Sequence, residues 1–103
     1  REKMMNQTVL VGRVVDIVSL ERDGESTCVK LQVAVTRSYK NNEGEYETDI
    51  IPAVLFDDIA KNTMEYVEKG DIVGVRGSLE CTDGDVHVIC DKISFISSKK
   101  DGE

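Results

Sequence analysis

One short helical segment between two strand-like segments constrains the fold of this chain more than any other feature. It lies in the stretch from Ala53 to Leu79, which begins and ends with apolar, β-branched runs. Between those runs, side chains at helical spacing form one mostly apolar stripe: Ile59, Ala60, Thr63, Met64 and Val67. The rest of the chain has the composition of strands and turns. A single helix among several strands requires a β-structure whose open end the helix can close.

Both ends of this helix carry boundary signals. Asp57 or Asp58 can accept hydrogen bonds from the free N–H groups of the first turn, and negative charge suits that end of the helix dipole. Lys69 and Gly70 are expected to end the helix, since a cation stabilises the last carbonyls and glycine adopts the left-handed conformation. We expect the stripe to face the core, so that Met64→Ala would destabilise the fold by ~2–5 kcal/mol.

Length and charge limit the class of protein. The 103 residues are enough for one domain, expected over residues 5–96, with flexible termini over 1–4 and 97–103. No apolar run approaches the ~20 residues of a membrane span, and no signal peptide opens the chain, so we expect a cytoplasmic protein with no membrane association. The formal net charge of −7 argues against broad electrostatic attraction to nucleic acid, which usually requires a basic domain.

The cysteines and the histidine do not indicate a metal site. Cys28, Cys81 and Cys90 show no Cys-x-x-Cys spacing, and His87 has no neighbouring ligand at the spacing of metal sites. Each cysteine falls within an apolar strand pattern, so we expect three buried, reduced thiols. Neither a metal nor any other cofactor is expected.

Five segments have the composition and periodicity of strands. They are residues 8–18, 26–37, 48–56, 71–81 and 86–96. The first is apolar on both faces, and the second alternates between apolar and polar residues. Gly12, Gly74 and Gly77 permit the bends that a small barrel needs, and Pro52 places the third strand at an edge or a kink. A turn is expected around residues 22–25.

Two of the connections carry further signals. Asp83-Gly84 between two β-runs predicts a two-residue type I′ hairpin, which sets His87 opposite Glu80. The segment over residues 38–47 is predicted to be a polar loop with two tyrosines. A tyrosine there either binds a ligand or covers a neighbouring apolar edge; both interpretations stay open for Tyr39, and covering is favoured for Tyr46.

The order of these elements is β-β-β-α-β-β, with the helix between the third and fourth strands. Short, glycine-bent strands with a single helix at that place predict an all-β protein with the OB-fold, a five-stranded, partly open Greek-key barrel. The periodicity alone would also allow other small β-barrels.

Several segments, in order and at matching spacing, resemble the bacterial single-stranded DNA-binding protein family. Met5–Arg13 resembles the opening of these proteins, and Val35–Asn41 resembles their second strand and the loop that follows. The segments that resemble their third strand, helix and fourth strand are Val54–Phe56, Ala60, Glu65–Gly70 and Gly74–Leu79. The likeness extends over residues 5–95, which is almost the whole chain.

The resemblance implies a homotetramer that binds single-stranded DNA, without sequence preference and without catalysis, in DNA replication, recombination or repair. It also implies a nucleoid-associated location, and other replication or repair proteins are candidate partners. Carried over by position, the base-stacking residues would be Tyr39 and Phe56, with Ile50 where the family often has an aromatic. The phosphate-contacting residues would be Arg13, Lys30, Arg37, Lys40 and Arg76.

Departures from the family pattern leave a second function open. The family's long loop between strands four and five is reduced here to the turn at 82–85. Only two aromatics stand where the family has several, and each base stacked on an aromatic contributes ~1–3 kcal/mol to binding. With the net charge of −7, these features favour a protein-interaction or assembly module with an eroded DNA surface. An enzyme has the weakest support, because a helix N-terminus explains the paired carboxylates Asp57 and Asp58.

Overall fold

The computed structural model describes residues 3–21 and 27–98, which form five strands and one helix. The elements are β1 (Thr8–Glu21), β2 (Thr27–Lys40), β3 (Tyr46–Phe56), α1 (Asp57–Tyr66), β4 (Ile72–Thr82) and β5 (Asp85–Ser97). Each predicted strand is present, and most extend beyond the predicted ends. The turn predicted around residues 22–25, and most of the predicted flexible termini, lie outside the described residues.

The strands close into a barrel in the order β1-β2-β3-β5-β4, with β4 pairing again with β1. All neighbours are antiparallel except β3 and β5, which meet in parallel at only two residue pairs, Ala53 with Val88 and Val54 with Ile89. This topology, with the helix between β3 and β4, confirms the predicted OB-fold. Pro52 precedes the short junction, so the described part of β3 has a free edge there, as predicted.

Alternate residues of the strands fill the interior of the barrel. The fully buried large side chains are Val14, Val29, Leu31, Val33, Leu55, Val73, Val75 and Val88. In β2 these positions are every second residue, so the core face predicted from the regular alternation of β2 is confirmed. Each such side chain contributes roughly 1.5–3 kcal/mol by leaving water, and together they hold the barrel around one core.

The core-facing side of α1 is the predicted stripe, with Met64 as the exception. Ala60 and Thr63 are buried within the helix, and Val67, just beyond its end, is 7% exposed. Met64 is 47% exposed, so its predicted burial is wrong. The buried face is centred near Thr63, and at 3.6 residues per turn Met64 falls at the margin of that face. Met64→Ala is therefore expected to change stability by no more than about 0.5 kcal/mol.

The helix boundaries also differ from the prediction. Phe56 occupies the N-cap position without a side-chain hydrogen bond, so neither Asp57 nor Asp58 caps the helix, although both lie in its first turn. The helix ends at Tyr66, before the predicted Lys69 and Gly70. Gly70 has a φ of 98° and donates its N–H to the Val14 carbonyl oxygen at 2.7 Å. It therefore shapes the connection to β4. This ten-residue α1 is the one helix in the described residues, and no helix there is long and apolar enough to cross a membrane.

The β4–β5 hairpin follows the predicted register and places one cysteine unexpectedly. Asp83 and Gly84 have φ values of 52° and 87°, as a type I′ turn requires, and Glu80 pairs with His87. Cys28 and Cys90 are buried as predicted. Cys81 is exposed, because it lies where the hairpin extends beyond the barrel wall. Apolar patterning near a hairpin tip therefore does not indicate burial.

We expect Gly77→Ala to destabilise the barrel far more than Gly74→Ala. A Cβ at Gly77 would clash with the backbone of Ile89 and Cys90 in the paired strand. That backbone is held in the sheet and cannot move away as a flexible side chain can. A Cβ at Gly74 would meet the flexible Ile96 Cδ1 at 3.5 Å, an ordinary contact. Urea unfolding should show a loss of about 1–3 kcal/mol or more for Gly77→Ala. Equal stabilities for the two variants would contradict this packing.

Candidate nucleic-acid interface

The β2–β3 hairpin extends beyond the barrel as a two-stranded arm, defined here as residues 36–48. The predicted loop over 38–47 is in fact a tight turn, since both strands continue and only residues 41–45 connect them. Asn41 builds this turn: its Oδ1 accepts the N–H groups of Glu43 at 2.9 Å and Glu45 at 3.0 Å. Gly44, with a φ of 79°, completes it. The arm tip is therefore an ordered structure.

Ion pairing across the strands fixes the base of the arm. The Arg37 guanidinium donates two hydrogen bonds of 2.9 Å to the Asp49 carboxylate, and it lies 3.5 Å from Glu47. The hydrogen bond and the charge of Asp49 raise the pKa of Arg37, and the hydrogen bond from Arg37 lowers the pKa of Asp49. A bidentate pair of this kind is geometrically specific. Arg37, predicted to contact phosphate, is thus already bound to carboxylates.

Two tyrosines lie near the arm tip on opposite faces. Lys40 and Tyr46 are directly paired across the strands, and the Lys40 Nζ lies 5.8 Å from the centre of the Tyr46 ring. Tyr39 precedes Lys40 in the strand, so it points to the other face, where it contributes to the raised pKa of Arg37. Tyr39 is 63% exposed. It belongs to a strand, not to the loop that the sequence predicted.

A cleft of about 470 Å³ lies between the outer face of β2–β3 and the β4–β5 hairpin. Its lining residues are Lys30, Gln32, Pro52, Val54, Thr82, Asp83, Asp85, Val86 and His87. Of these, only Lys30 was predicted as a site residue. The alternation of β2 and β3 could have placed Gln32 and Pro52 on the same face, but no local pattern indicates that the hairpin folds over it.

The charge of the cleft is mixed. Lys30 provides a cation on the β2 side, whereas Asp83 and Asp85 provide carboxylates on the hairpin side. Among residues 3–21 and 27–98, no group of three or more His, Cys, Asp or Glu side chains could hold a metal ion. An anionic polymer in the cleft would be held on the β2–β3 side and repelled at the hairpin tip.

The other predicted site residues fall into two groups. Ile50 and Phe56 lie on the outer face of β3, with Ile50 between the arm and the cleft and Phe56 half-buried beside the start of α1. Arg13 and Arg76 lie elsewhere. Arg13 donates from Nη1 to the Gly70 carbonyl oxygen at 2.6 Å, and Arg76 pairs with Asp91 at 2.8 Å on the β4–β5 wall. The fold therefore brings Lys30, Ile50 and the arm to one face and leaves these two arginines away from it.

The Arg37–Asp49 pair should be visible in an acid titration. A carboxyl whose pKa is lowered by folding stabilises the fold at pH values above its pKa in the unfolded state. That stabilisation is lost as the pH falls through its pKa in the folded state. We expect a ¹³C NMR titration of the Asp49 carboxyl to give a midpoint below 3.8. In the Arg37→Gln variant the midpoint should move up toward 3.8. A wild-type midpoint at or above that value would contradict the pair.

Comparison with solved structures places the barrel among known ones. The chain superposes on "Plasmodium falciparum SSB complex with ssDNA" with a TM-score of 0.79, at 24% identity, covering 94% of this chain and 99% of the other. A small single-stranded DNA-binding protein from Streptomyces coelicolor matches with a TM-score of 0.71, at 20% identity, covering 91% and 96%. At these identities the likeness concerns the fold.

Sequence comparison identifies the family. The chain is 32% identical over 109 residues to "Single-stranded DNA-binding protein 1" of Clostridium acetobutylicum, covering 94% of this chain and 98% of the relative. It is 38% identical over 78 residues to "Single-stranded DNA-binding protein B" of Bacillus subtilis, covering 75% and 69%. The model of the single-strand binding protein family matches residues 5–86. Since this match takes in most of the closed barrel, the chain belongs to the single-strand binding protein family.

Proposed function

We propose that this protein binds single-stranded DNA without sequence preference, along the outer face of β2 and β3. The observation that carries the proposal is the cleft between that face and the β4–β5 hairpin, in a chain of this family. The face of strands two and three is where OB-folds bind oligonucleotides. The relatives of this chain are named for single-stranded DNA binding, and we extend that activity to this chain.

Binding requires flat apolar surface for the bases and cations for the phosphates. Exposed apolar side chains on the outer face of β3, Ile50 among them, offer the apolar surface, with Phe56 as a candidate stacking residue. Tyr39 could stack a base only on the opposite face of the arm, beside Arg37. Lys30 and Lys40 offer the cations for the phosphates. Every base has a π-face, so stacking tolerates any sequence. The protein acts in the cytoplasm by holding the single-stranded DNA that is exposed during replication, recombination or repair. This activity needs no catalytic group.

The number of available cations limits the electrostatic contribution to binding. Arg37 and Arg76 are each paired with a carboxylate, whereas Lys30 and Lys40 form no ion pair with any of the described residues. An arginine could contact phosphate only after its own pair opened. We therefore infer that each protomer makes about two cationic contacts, and that its affinity depends less on salt than that of a basic DNA-binding domain.

Oligo-dT titrations at several salt concentrations test this function. Each phosphate contact on a single strand contributes about −0.7 to the slope of log K against log salt, so we expect about −1.4 per protomer. Lys40→Ala should bring the slope closer to zero by about 0.7. The matched control is Lys61→Ala, an exposed lysine on α1, which should leave the slope unchanged.

The same titration decides between this function and the alternative. An assembly or protein-interaction module with an eroded DNA surface is favoured by the carboxylates at the hairpin tip and by the two paired arginines. If the wild type shows no salt-sensitive binding of oligo-dT, DNA binding is excluded and the interaction module replaces it.

We also propose that the protein assembles into a homo-oligomer, a tetramer built from dimers. In the described part of the chain, residues 8–12 of β1 pair with β4 alone, because pairing with β2 begins at Arg13. Val9 and Val11 on this segment are 68% and 56% exposed. A free strand edge beside exposed apolar side chains is a template for pairing with another chain. A second copy would cover both features.

Light scattering coupled to size exclusion tests the assembly. We expect a mass of about four times the 11.4 kDa of the chain at micromolar concentration. Val11→Glu should lower that mass, because it places a charge in the apolar contact. Met64→Glu, at an exposed apolar position on α1, serves as the control and should not change it. A wild-type mass near that of one chain would refute the assembly.

A further inference from the structure

Tyr46 lies on the same face as the cleft, although the sequence favoured a covering role for it. It begins β3, and residues at every second position from it share its face: Thr48, Ile50, Pro52 and Val54. The Thr48 hydroxyl bonds the Thr36 hydroxyl at 3.1 Å across the strands, which fixes that face at the arm. Pro52 and Val54 line the cleft. Tyr46 therefore stands at the distal end of a continuous row that runs into the cleft.

The ring of Tyr46 is exposed and held on an ordered element. Tyr46 is 55% exposed, and its strand position is fixed by direct pairing with Lys40. The Asn41 turn closes the hairpin next to this pair, with the Asn41 N–H donating to the Glu45 carbonyl oxygen at 2.7 Å. A ring positioned in advance loses less conformational freedom on binding than one in a mobile loop.

Lys40 adds a cation at the same place. Its Nζ lies 5.8 Å from the ring centre, which is near the ~6 Å limit of a cation–π contact. So weak a contact leaves the ammonium free to turn toward a phosphate when a base occupies the ring. Stacking and charge neutralisation would then be supplied by one cross-strand pair.

Tyr39 cannot serve the same stretch of DNA. It points to the face of the arm that carries Arg37, opposite Tyr46 and Lys40. A single-stranded DNA molecule that follows the row leaves the cleft at Pro52 and reaches Tyr46 six residues away along β3. That distance is ~20 Å at the rise of a β-strand. To reach Tyr39 it would have to cross the edge of the arm.

We propose that Tyr46, with Lys40 beside its ring, is a base-stacking site for single-stranded DNA at the tip of the arm. The proposal rests on the proposed function and adds a residue that the family resemblance did not indicate. It places a stacked base at the arm tip, about 20 Å from the cleft, beside the cation that Lys40 supplies. The ring, not the hydroxyl, is the binding group.

The test compares Tyr46→Ala, Tyr46→Phe and the control Tyr66→Ala in oligo-dT binding by anisotropy, with melting temperatures measured alongside. Tyr66 is an exposed tyrosine on α1, away from the row. We expect Tyr46→Ala to weaken binding roughly 5- to 150-fold without changing the salt slope, since stacking releases no counterions. Tyr46→Phe and Tyr66→Ala should bind as the wild type does.

The outcomes separate this proposal from the proposed function. If the wild type binds and a folded Tyr46→Ala variant binds equally well, the stacking site is wrong and the function stands. If the wild type does not bind oligo-dT, both are wrong. Should Tyr46→Ala lower the melting temperature, Tyr46→Leu keeps apolar bulk in the strand without a ring. Wild-type affinity in that variant would overturn the site.

Discussion

Closure of the barrel between β3 and β5 is the constraint on which the rest of the structure depends. The two strands meet in parallel over only two residue pairs, and Ala53 and Val88 in that junction are fully buried. With so few ladder pairs, the junction relies on core packing more than on backbone hydrogen bonds. The same junction directs the β4–β5 hairpin across the outer face of β2–β3. The cleft exists because the barrel closes there.

Period-two alternation and turn chemistry made most of the fold predictable. The faces of β2, the hairpin at Asp83-Gly84 and the place of the helix were all read correctly, because each depends on local sequence. Met64 and Cys81 were assigned to the core wrongly. Their burial depends on how α1 sits on the barrel end and on how far a hairpin extends past it. Those are tertiary relations that apolar spacing does not encode.

The candidate site was less predictable for a similar reason. Residue types suggested Arg37 and Lys40 as neighbouring phosphate contacts. The ladder is irregular between Thr36 and Lys40, and this sets Arg37 on Asp49 while Lys40 lies over Tyr46. No local pattern marks that irregularity, so the sequence could not separate an available cation from a paired one. It could not show which tyrosine shares the face of the cleft either.

For a chain with a net charge of −7, DNA binding depends on where the available cations lie. Arg37 and Arg76 are each paired with a carboxylate of an adjacent strand, so neither is available to a phosphate while its pair is closed. Lys30 and Lys40 remain on the face that the bases would approach. The exposed valines of β1 lie on a different wall, and none of them lines the cleft. Assembly through β1 would therefore leave the cleft open, and the two proposals place no competing demand on any residue.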